Sequence, residues 1–206
     1  MKNLHKLVYQ FKITLQGIHT PLIWRRIQVP KEYSFWDLHV ALVDAMGWLD
    51  YHLHKFEISQ SNHEGLVVIG IPENEFDEDW IAGWKVPLEQ HFKQIGQNIP
   101  YEYDLGQHWQ HQVLFEGILL MEKGVKYPRC TDGKNACPPE DCGGVSGYFR
   151  LLEVINDPEH DEYQETIEWL RGHAINYYPY DPSEFNPQKI RFRNPKKQLQ
   201  KILSSW

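Results

Sequence analysis

A strict alternation of apolar and polar side chains near the start of the chain places the tightest limit on its fold. Across residues 8–16 every second residue is large and apolar, after an initial Val8 that breaks the parity. A strand has a side-chain period of two, so this pattern predicts a half-buried strand with one face toward a core. A turn at 17–21 and an apolar stretch at 23–29, ended by Pro30, predict a second strand. The buried face of the first strand comprises Tyr9, Phe11, Ile13 and Leu15.

A capped amphipathic helix follows this predicted pair of strands. Ser34 and Asp37 have the spacing of a capping box, in which both side chains accept hydrogen bonds from free backbone N–H groups. Gly47 is suited to end the helix, because glycine readily adopts the left-handed conformation of a helix C-terminus. Short strands are predicted at 52–59 and 66–70. The order of elements predicts an α+β fold: a mixed β-sheet with a β-grasp-like strand–strand–helix–strand core and additional C-terminal helices.

The whole chain, residues 1–206, is predicted to form a single domain, because its length suits one sizeable core. We divide it into a β-rich core at about 8–125, a Cys loop at 127–147 and a helical C-terminal part at 146–206. Further predicted elements are an acidic loop at 72–87 pinned by Trp80 and Trp84, a short helix at 88–95, a hairpin with arms at 99–105 and 111–121, and helices at 146–156 (capped by Ser146), 159–172 and 195–203.

The charge distribution bears on possible partners. The net charge is −7, yet residues 185–206 contain six basic and no acidic residues. Phosphate backbones are bound through Lys and Arg, so the acidic body disfavours nucleic acid, although the basic segment leaves such contact possible. A protein partner, or a second copy of the chain in a homo-oligomer, is the alternative for that segment.

Neither a membrane nor secretion is expected. No apolar run approaches the roughly 18 residues that a membrane span needs, and the first ten residues lack the pattern of a signal peptide. An odd number of cysteines without a secretion signal indicates a reducing compartment, so we expect a cytoplasmic protein.

All three cysteines of the chain, Cys130, Cys137 and Cys142, lie in the Cys loop. This segment is rich in Pro and Gly and shows neither helical nor strand period, which predicts an irregular loop. Three thiolates on such a loop could converge on one tetrahedral zinc ion, with His111, or alternatively His108, as fourth ligand. Two other interpretations stay open: the thiols fill space as small buried side chains, or one of them is reactive.

A second group of candidate residues combines histidine with aspartate. His52 and His54 lie two positions apart at the start of a predicted strand, so both imidazoles project to the same side. Asp104 and His111 could face each other across the predicted hairpin, and a carboxylate beside an imidazole can orient a general base or a metal ligand. A hydrogen-bonded polar turn is the simpler alternative. Standard nucleotide-binding, serine-hydrolase and zinc-protease motifs are absent from the sequence, so the catalytic residues are unknown.

Taken together, several short motifs resemble one known family, the plasmid ORF-three-like proteins first described on a root-inducing plasmid. Some members are labelled TnpR-like passenger proteins of insertion elements. The resemblance covers about residues 8–190 and implies an α+β fold with no established activity. The motifs that carry it are Ile23-Trp-Arg-Arg26, Ala45-Met-Gly-Trp48, His52-Leu-His-Lys-Phe56, Tyr103-Asp-Leu-Gly106, Trp109-Gln-His111, Ala136-Cys-Pro-Pro-Glu-Asp-Cys-Gly-Gly144 and Gly147-Tyr148.

One departure from the family pattern concerns the turn of the predicted hairpin. The family usually has Phe and Asp where this chain has Leu105 and Gln107. A catalytic role for that Asp would be impaired here, whereas a binding or structural role survives the exchange more easily. A resolvase-like activity, which the TnpR label suggests, finds no matching grouping of Ser and Arg in this sequence.

Three hypotheses on function follow. The leading one is a mobile-element-associated binding or accessory protein whose Cys loop holds a structural metal ion, for which zinc is the candidate. The alternative is a hydrolase or nucleic-acid-processing enzyme that uses His52, His54, Asp104 and His111. The third is a protein-interaction domain that binds a partner through surface Trp residues and the basic C-terminal segment.

Overall fold

The fold is built on one eight-stranded sheet with helices packed against it. The structure is a computed structural model that describes residues 6–59, 65–72 and 80–204. Its strands are β1 (Leu7–His19), β2 (Leu22–Pro30), β3 (His54–Ser59), β4 (Leu66–Gly70), β5 (Trp80–Ala82), β6 (Asn98–Tyr103), β7 (Trp109–Leu120) and β8 (Arg129–Lys134). They lie in the order β5-β4-β3-β6-β7-β1-β2-β8, and neighbours are antiparallel except for the parallel pair β4 and β5.

The first helix, α1 (Phe35–Met46), begins and ends where the sequence predicts. Ser34 and Asp37 form the capping box, and Gly47 ends the helix in the left-handed conformation with φ of 91°. Ten of the twelve residues of α1 are buried, so its packing against the sheet supplies much of the core. Phenylalanine rings of α1 and the strands meet edge to face, for example Phe35 and Phe56 at a centroid distance of 5.1 Å.

Three further helices complete the fold: α2 (Gly144–Ile155), α3 (Tyr163–Gly172) and α4 (Pro195–Ser204). The C-terminal segment returns across α1. Trp36 of α1 donates its indole N–H to the carbonyl oxygen of Pro195 at 2.9 Å. The backbone N–H of Arg193 donates to Asp44 Oδ2 at 2.7 Å, and its guanidinium pairs with the same carboxylate. The basic C-terminal segment therefore makes part of its contacts with acidic residues of its own chain.

The α+β class and the mixed sheet are confirmed, while three local predictions are wrong. Part of the Cys loop forms strand β8, which pairs with β2 and has no buried residue, so no alternation marks it in the sequence. The helix predicted at 88–95 is only a 3-10 turn over Leu88–Gln90. Helix α2 begins before Ser146, with Gly143 as its N-cap residue. In the predicted acidic loop, residues 73–79 lie outside the described residues, and Trp80 belongs to β5.

Within the described ranges, none of the helices combines the length and the apolar character that crossing a membrane requires.

Candidate functional site

The turn between β6 and β7 holds Asp104 in a fixed and unusual position. Asp104 directly follows β6, is 5% exposed and has a positive φ of 57°, a conformation that Asp tolerates better than most residues. Its Oδ1 accepts hydrogen bonds from the backbone N–H groups of Gly106 at 3.0 Å and Gln107 at 3.1 Å. Its Oδ2 is buried and accepts no hydrogen bond. One carboxylate oxygen thus fixes the turn, and the other is left without a hydrogen-bond donor.

The Cys loop folds over this turn and is held there by a buried carboxyl group. Glu140 is 1% exposed; its Oε2 accepts from the backbone N–H of Leu49 at 2.6 Å, and its Oε1 accepts a short hydrogen bond from the hydroxyl of Tyr103. The carbonyl oxygen of Pro138 accepts from the indole N–H of Trp48 at 3.0 Å. These contacts join the loop to the segment after α1 and to β6, and they fix the position of the next residue along the chain.

That next residue, Asp141, meets His52 and Asp104. His52 Nε2 lies 2.9 Å from Asp141 Oδ1 and 3.7 Å from Asp104 Oδ2. One ligand atom from each residue lies within 4.8 Å of the other two, and no other group of three His, Cys, Asp or Glu residues in the described ranges meets this condition. The His52 side chain is 30% exposed and that of Asp141 is 44% exposed, so the group opens to solvent on one side. We call these three residues the His–Asp cluster.

Gln107 links the His–Asp cluster to the start of α2. Its Nε2 lies 3.5 Å from Asp141 Oδ1, and its Oε1 accepts from the backbone N–H groups of Gly143 at 3.0 Å and Gly144 at 2.7 Å. The N-cap residue of α2 is Gly143, which has no side chain that could accept hydrogen bonds from the free N–H groups at the start of the helix. A side chain from the hairpin turn therefore satisfies the start of α2, which gives the residue at this divergent position a structural role.

His54 lies close to the cluster along the chain but belongs to the core. Its ring stacks on that of His39 at a centroid distance of 3.3 Å and an angle of 7°, and neither ring nitrogen has a hydrogen-bond partner. Burial, reinforced by the neighbouring His39, lowers its pKa well below the usual value. His39 lies between Tyr101 and Asp50, with its Nδ1 2.9 Å from the Tyr101 hydroxyl and its Nε2 2.8 Å from Asp50 Oδ1. His54 is thus a neutral core residue, and His52 is the member of the pair that faces the cluster.

The two histidines considered as fourth zinc ligands lie in different environments. His111 is 1% exposed and packs between the rings of Trp48 and Tyr101, at 5.5 and 5.3 Å. Burial lowers its pKa to about 3. His108 is exposed at the tip of the turn, where its Nδ1 lies 2.5 Å from Glu102 Oε1. Neither ring nitrogen of His111 has a hydrogen-bond partner, whereas His52 Nε2 lies 3.7 Å from Asp104 Oδ2, so Asp104 faces His52 rather than His111.

The three thiols lie in separate environments. Cys137 is buried, with its Sγ 3.1 Å from Met46 Sδ and 3.4 Å from Arg25 Nη2. Cys130 contacts the backbone oxygen of Asp132, and Cys142 contacts that of Gly144. Burial raises the pKa of all three, that of Cys142 to about 12. None of them belongs to the His–Asp cluster, and the zinc site of the three cysteines with His111 or His108 stays a prediction.

Sequence reasoning selected His52 and Asp104 but missed Asp141. Asp141 lies directly before Cys142, inside a motif that draws attention to its cysteines and prolines. The available signal was a carboxylate on an irregular loop, since such loops often carry functional side chains. Glu140 was missed for the same reason, because its burial depends on contacts with residues 37 and 91 positions away along the chain.

Comparisons with known proteins agree with this architecture. The family model described as "Plasmid pRiA4b ORF-3-like protein" matches residues 7–189. The uncharacterized protein y4hQ of Sinorhizobium fredii is 28% identical over 200 residues, which cover 97% of this chain and 94% of that protein. The crystal structure of MM3350 from Methanosarcina mazei Go1, a protein of unknown function, matches with a TM-score of 0.79 and 43% identity, over 91% of this chain and 99% of that one.

Proposed function

The chain belongs to the plasmid pRiA4b ORF-3-like family, and we propose that it is a divalent-cation-binding protein whose site is the His–Asp cluster. The observation that carries this proposal is Asp104 Oδ2, a buried carboxylate oxygen that accepts no hydrogen bond and lies beside His52 and Asp141. A buried anionic oxygen without a donor is costly, and a bound cation would remove that cost.

The donor set suits zinc or manganese. One imidazole nitrogen and two carboxylate oxygens are ordinary ligands of both ions. Tetrahedral coordination with bonds of about 2.0–2.2 Å places ligand atoms about 3.3–3.6 Å apart. The 3.7 Å between His52 Nε2 and Asp104 Oδ2 is close to this spacing. The 2.9 Å contact between His52 Nε2 and Asp141 Oδ1 would lengthen by less than about 1 Å as an ion replaces the shared proton.

Much of the site is formed before an ion enters. Backbone N–H groups hold Asp104 through its other oxygen, and the buried Glu140 fixes the loop that carries Asp141. A preformed site loses little conformational freedom on binding, which favours affinity.

Metal titration of a matched set of variants tests the proposal. Protein dialysed against chelator is titrated with Zn²⁺ and with Mn²⁺ by calorimetry, and bound metal is counted by elemental analysis. We expect one ion per chain in the wild type and a loss of affinity of at least about tenfold in Asp104→Asn. This variant keeps the Oδ1 acceptor that the turn needs and replaces only Oδ2. Asp141→Asn should act in the same way, and His108→Ala, which changes an exposed histidine of the same turn, should bind as the wild type does.

Two results would contradict the proposal: no stoichiometric ion in the wild type, or unchanged affinity in Asp104→Asn. The same experiment addresses the cysteine site. If Cys142→Ser and Cys137→Ser lose the ion while Asp104→Asn keeps it, the metal binds in the Cys loop as the sequence predicts.

A hydrolase is the second candidate function, and the exposed side of the cluster favours it. Three protein ligands leave a coordination position for water, and a bound divalent ion lowers the pKa of that water so that hydroxide becomes available near neutral pH. We expect slow hydrolysis of bis(p-nitrophenyl) phosphate that requires added metal and is absent in Asp104→Asn. Hydrolysis without metal, or equal rates in the variant, would reject this function. The accessory role in a mobile element and the protein-interaction role stay predictions.

A further inference from the structure

A cleft that does not include the His–Asp cluster lies between the C-terminal end of α1 and the segment 175–193. The cleft has a volume of about 610 Å³. This volume lies within the range of small-molecule sites in proteins. Its walls are mainly apolar, and four aromatic residues contribute to them: Trp48, Tyr177, Tyr180 and Phe185.

A buried arginine forms part of this cleft. Arg25 is 2% exposed, and no carboxylate of the described residues lies within ion-pair distance of it. Its Nε donates to the carbonyl oxygen of Ala45 at 3.0 Å, and its Nη1 donates to those of Trp24 and Lys134 at 2.8 and 2.9 Å. The acceptor of its Nη2 is the thiol of Cys137 at 3.4 Å. A thiol is a weak acceptor, so the Nη2 edge of the guanidinium lacks a strong partner.

Arg191, which also lines the cleft, is exposed and donates to the carbonyl oxygens of Gln188 and Ile190, and Asp181 accepts from Ser183. The remaining charged side chains form ion pairs. Arg193 pairs with Asp44, and Lys189 pairs with Glu184. The carbonyl oxygens at the end of α1 offset only part of the Arg25 charge, because a helix C-terminus carries about half of a negative charge. A buried cation is ordinarily paired with an anion. An anion bound in the cleft would therefore supply the partner that Arg25 lacks.

We propose that this cleft binds an organic carboxylate with an aromatic body, whose carboxylate pairs with Nη2 of Arg25. A carboxylate would replace the weak thiol contact with a charge-assisted hydrogen bond. An inorganic anion would occupy only a small part of 610 Å³ and would leave the apolar walls unfilled. A flat apolar body fits walls made of aromatic rings, because stacked and edge-to-face contacts add to the area buried. The Phe185 ring already packs on the guanidinium, with its centroid 4.0 Å from Arg25 Cζ.

The test compares two small probes of the same shape, benzoate and benzamide, by calorimetry and by ligand-observed NMR on the full chain. A nine-atom ligand in such a site is expected to bind with Kd of about 1 to 10 mM. We expect benzoate to bind at least about tenfold more tightly than benzamide, with an affinity that falls as salt rises.

Two variants locate the binding. Arg25→Gln should abolish the preference for benzoate, but this change also removes a contact at the end of α1 and can itself prevent folding. Ile190→Trp therefore serves as a second variant, because it fills the cleft without changing Arg25. It should weaken benzoate at least about tenfold. Leu203→Trp, an equivalent change on the exposed side of α4, is the control and should bind as the wild type does.

Equal affinity for benzoate and benzamide would overturn the proposal, since charge recognition by Arg25 predicts a difference. The absence of saturable binding up to about 10 mM, or unchanged binding in Ile190→Trp, would overturn it as well.

Discussion

Glu140 offers the sharpest test of how the Cys loop is held in place. Its carboxyl group is the acceptor for the backbone N–H of Leu49 and for the Tyr103 hydroxyl, a side chain that is 0% exposed. Glu140→Ala would leave both donors without that partner. Each polar group buried without a partner costs about 1 to 3 kcal/mol, and Leu49 is only half-buried, so we expect the free energy of unfolding to fall by about 2 to 4 kcal/mol.

Glu140→Gln is the matched control for this change. The glutamine oxygen can still accept from Leu49 while its amide group donates to the Tyr103 hydroxyl oxygen. The shape and one hydrogen bond to each partner are kept, but the charge and the acceptor for the Tyr103 hydroxyl proton are lost, so we expect a smaller fall, of about 1 kcal/mol.

Urea unfolding followed by fluorescence separates the two variants. With an m-value of about 2 kcal/mol per M, Glu140→Ala should lower the urea midpoint by about 1 to 2 M, and Glu140→Gln by about 0.5 M. If the two variants unfold at the same midpoint, or if Glu140→Ala costs less than about 1 kcal/mol, the two hydrogen bonds do not anchor the loop. Because Asp141 follows Glu140, the Ala variant should also bind Mn²⁺ more weakly than the Gln variant.

Three further perturbations test other contacts of the fold. Gly147→Ala would place a Cβ 1.9 Å from the backbone oxygen of Cys142, so we expect the free energy of unfolding, measured by thermal unfolding, to fall by more than about 3 kcal/mol. Gly172→Ala is the control: its Cβ would meet open space, and the change should be neutral or stabilising. Arg193→Ala removes the cation beside Asp44, which is 4% exposed on its side chain, and should cost about 2 to 3 kcal/mol; an effect under about 0.5 kcal/mol would contradict this. Burial lowers the pKa of His111 to about 3, so the unfolded chain binds a proton below pH 6.5 that the folded chain refuses, and stability is lost as pH falls from 6.5 toward 3. His111→Phe should therefore reduce the stability lost between pH 6.5 and pH 5 by about 2 kcal/mol, and an unchanged loss would mean that this histidine is not buried in its neutral form.

The parts of the fold that the sequence predicts well are those with a local cause. The alternation over 8–16 reports a strand with one buried face, and β1 has that burial pattern. The capping box of Ser34 and Asp37 depends on residues three apart, so it needs no knowledge of the rest of the chain. Strand β8 cannot be predicted in this way because it forms the edge of the sheet and buries none of its residues, so its sequence needs no alternation.

The candidate site could be predicted only in part, for a related reason. His52 and Asp104 stand out as residue types that carry chemistry, and they meet at 3.7 Å. Asp141 joins them only because the loop is anchored by hydrogen bonds to distant residues, which no local pattern reveals. His54 and His111 stood out for the same chemical reason as His52, yet both are buried among aromatic rings. The residue type alone does not show whether a histidine is exposed to solvent or buried among aromatic rings.

The Cys loop owes its position to oxygen and nitrogen contacts more than to sulfur. Glu140 anchors the loop by accepting a hydrogen bond from the backbone N–H of Leu49. Gln107 accepts from the N–H groups of Gly143 and Gly144, where α2 begins. Burial raises the pKa of the three thiols, so an ion at any of them would first have to offset the cost of forming a buried thiolate. At Asp141 the ligand group is half-exposed and lies beside a carboxylate oxygen that lacks a donor. The same loop therefore offers a cation an easier site at Asp141 than at its cysteines, and this difference is why the metal titration includes both sets of variants.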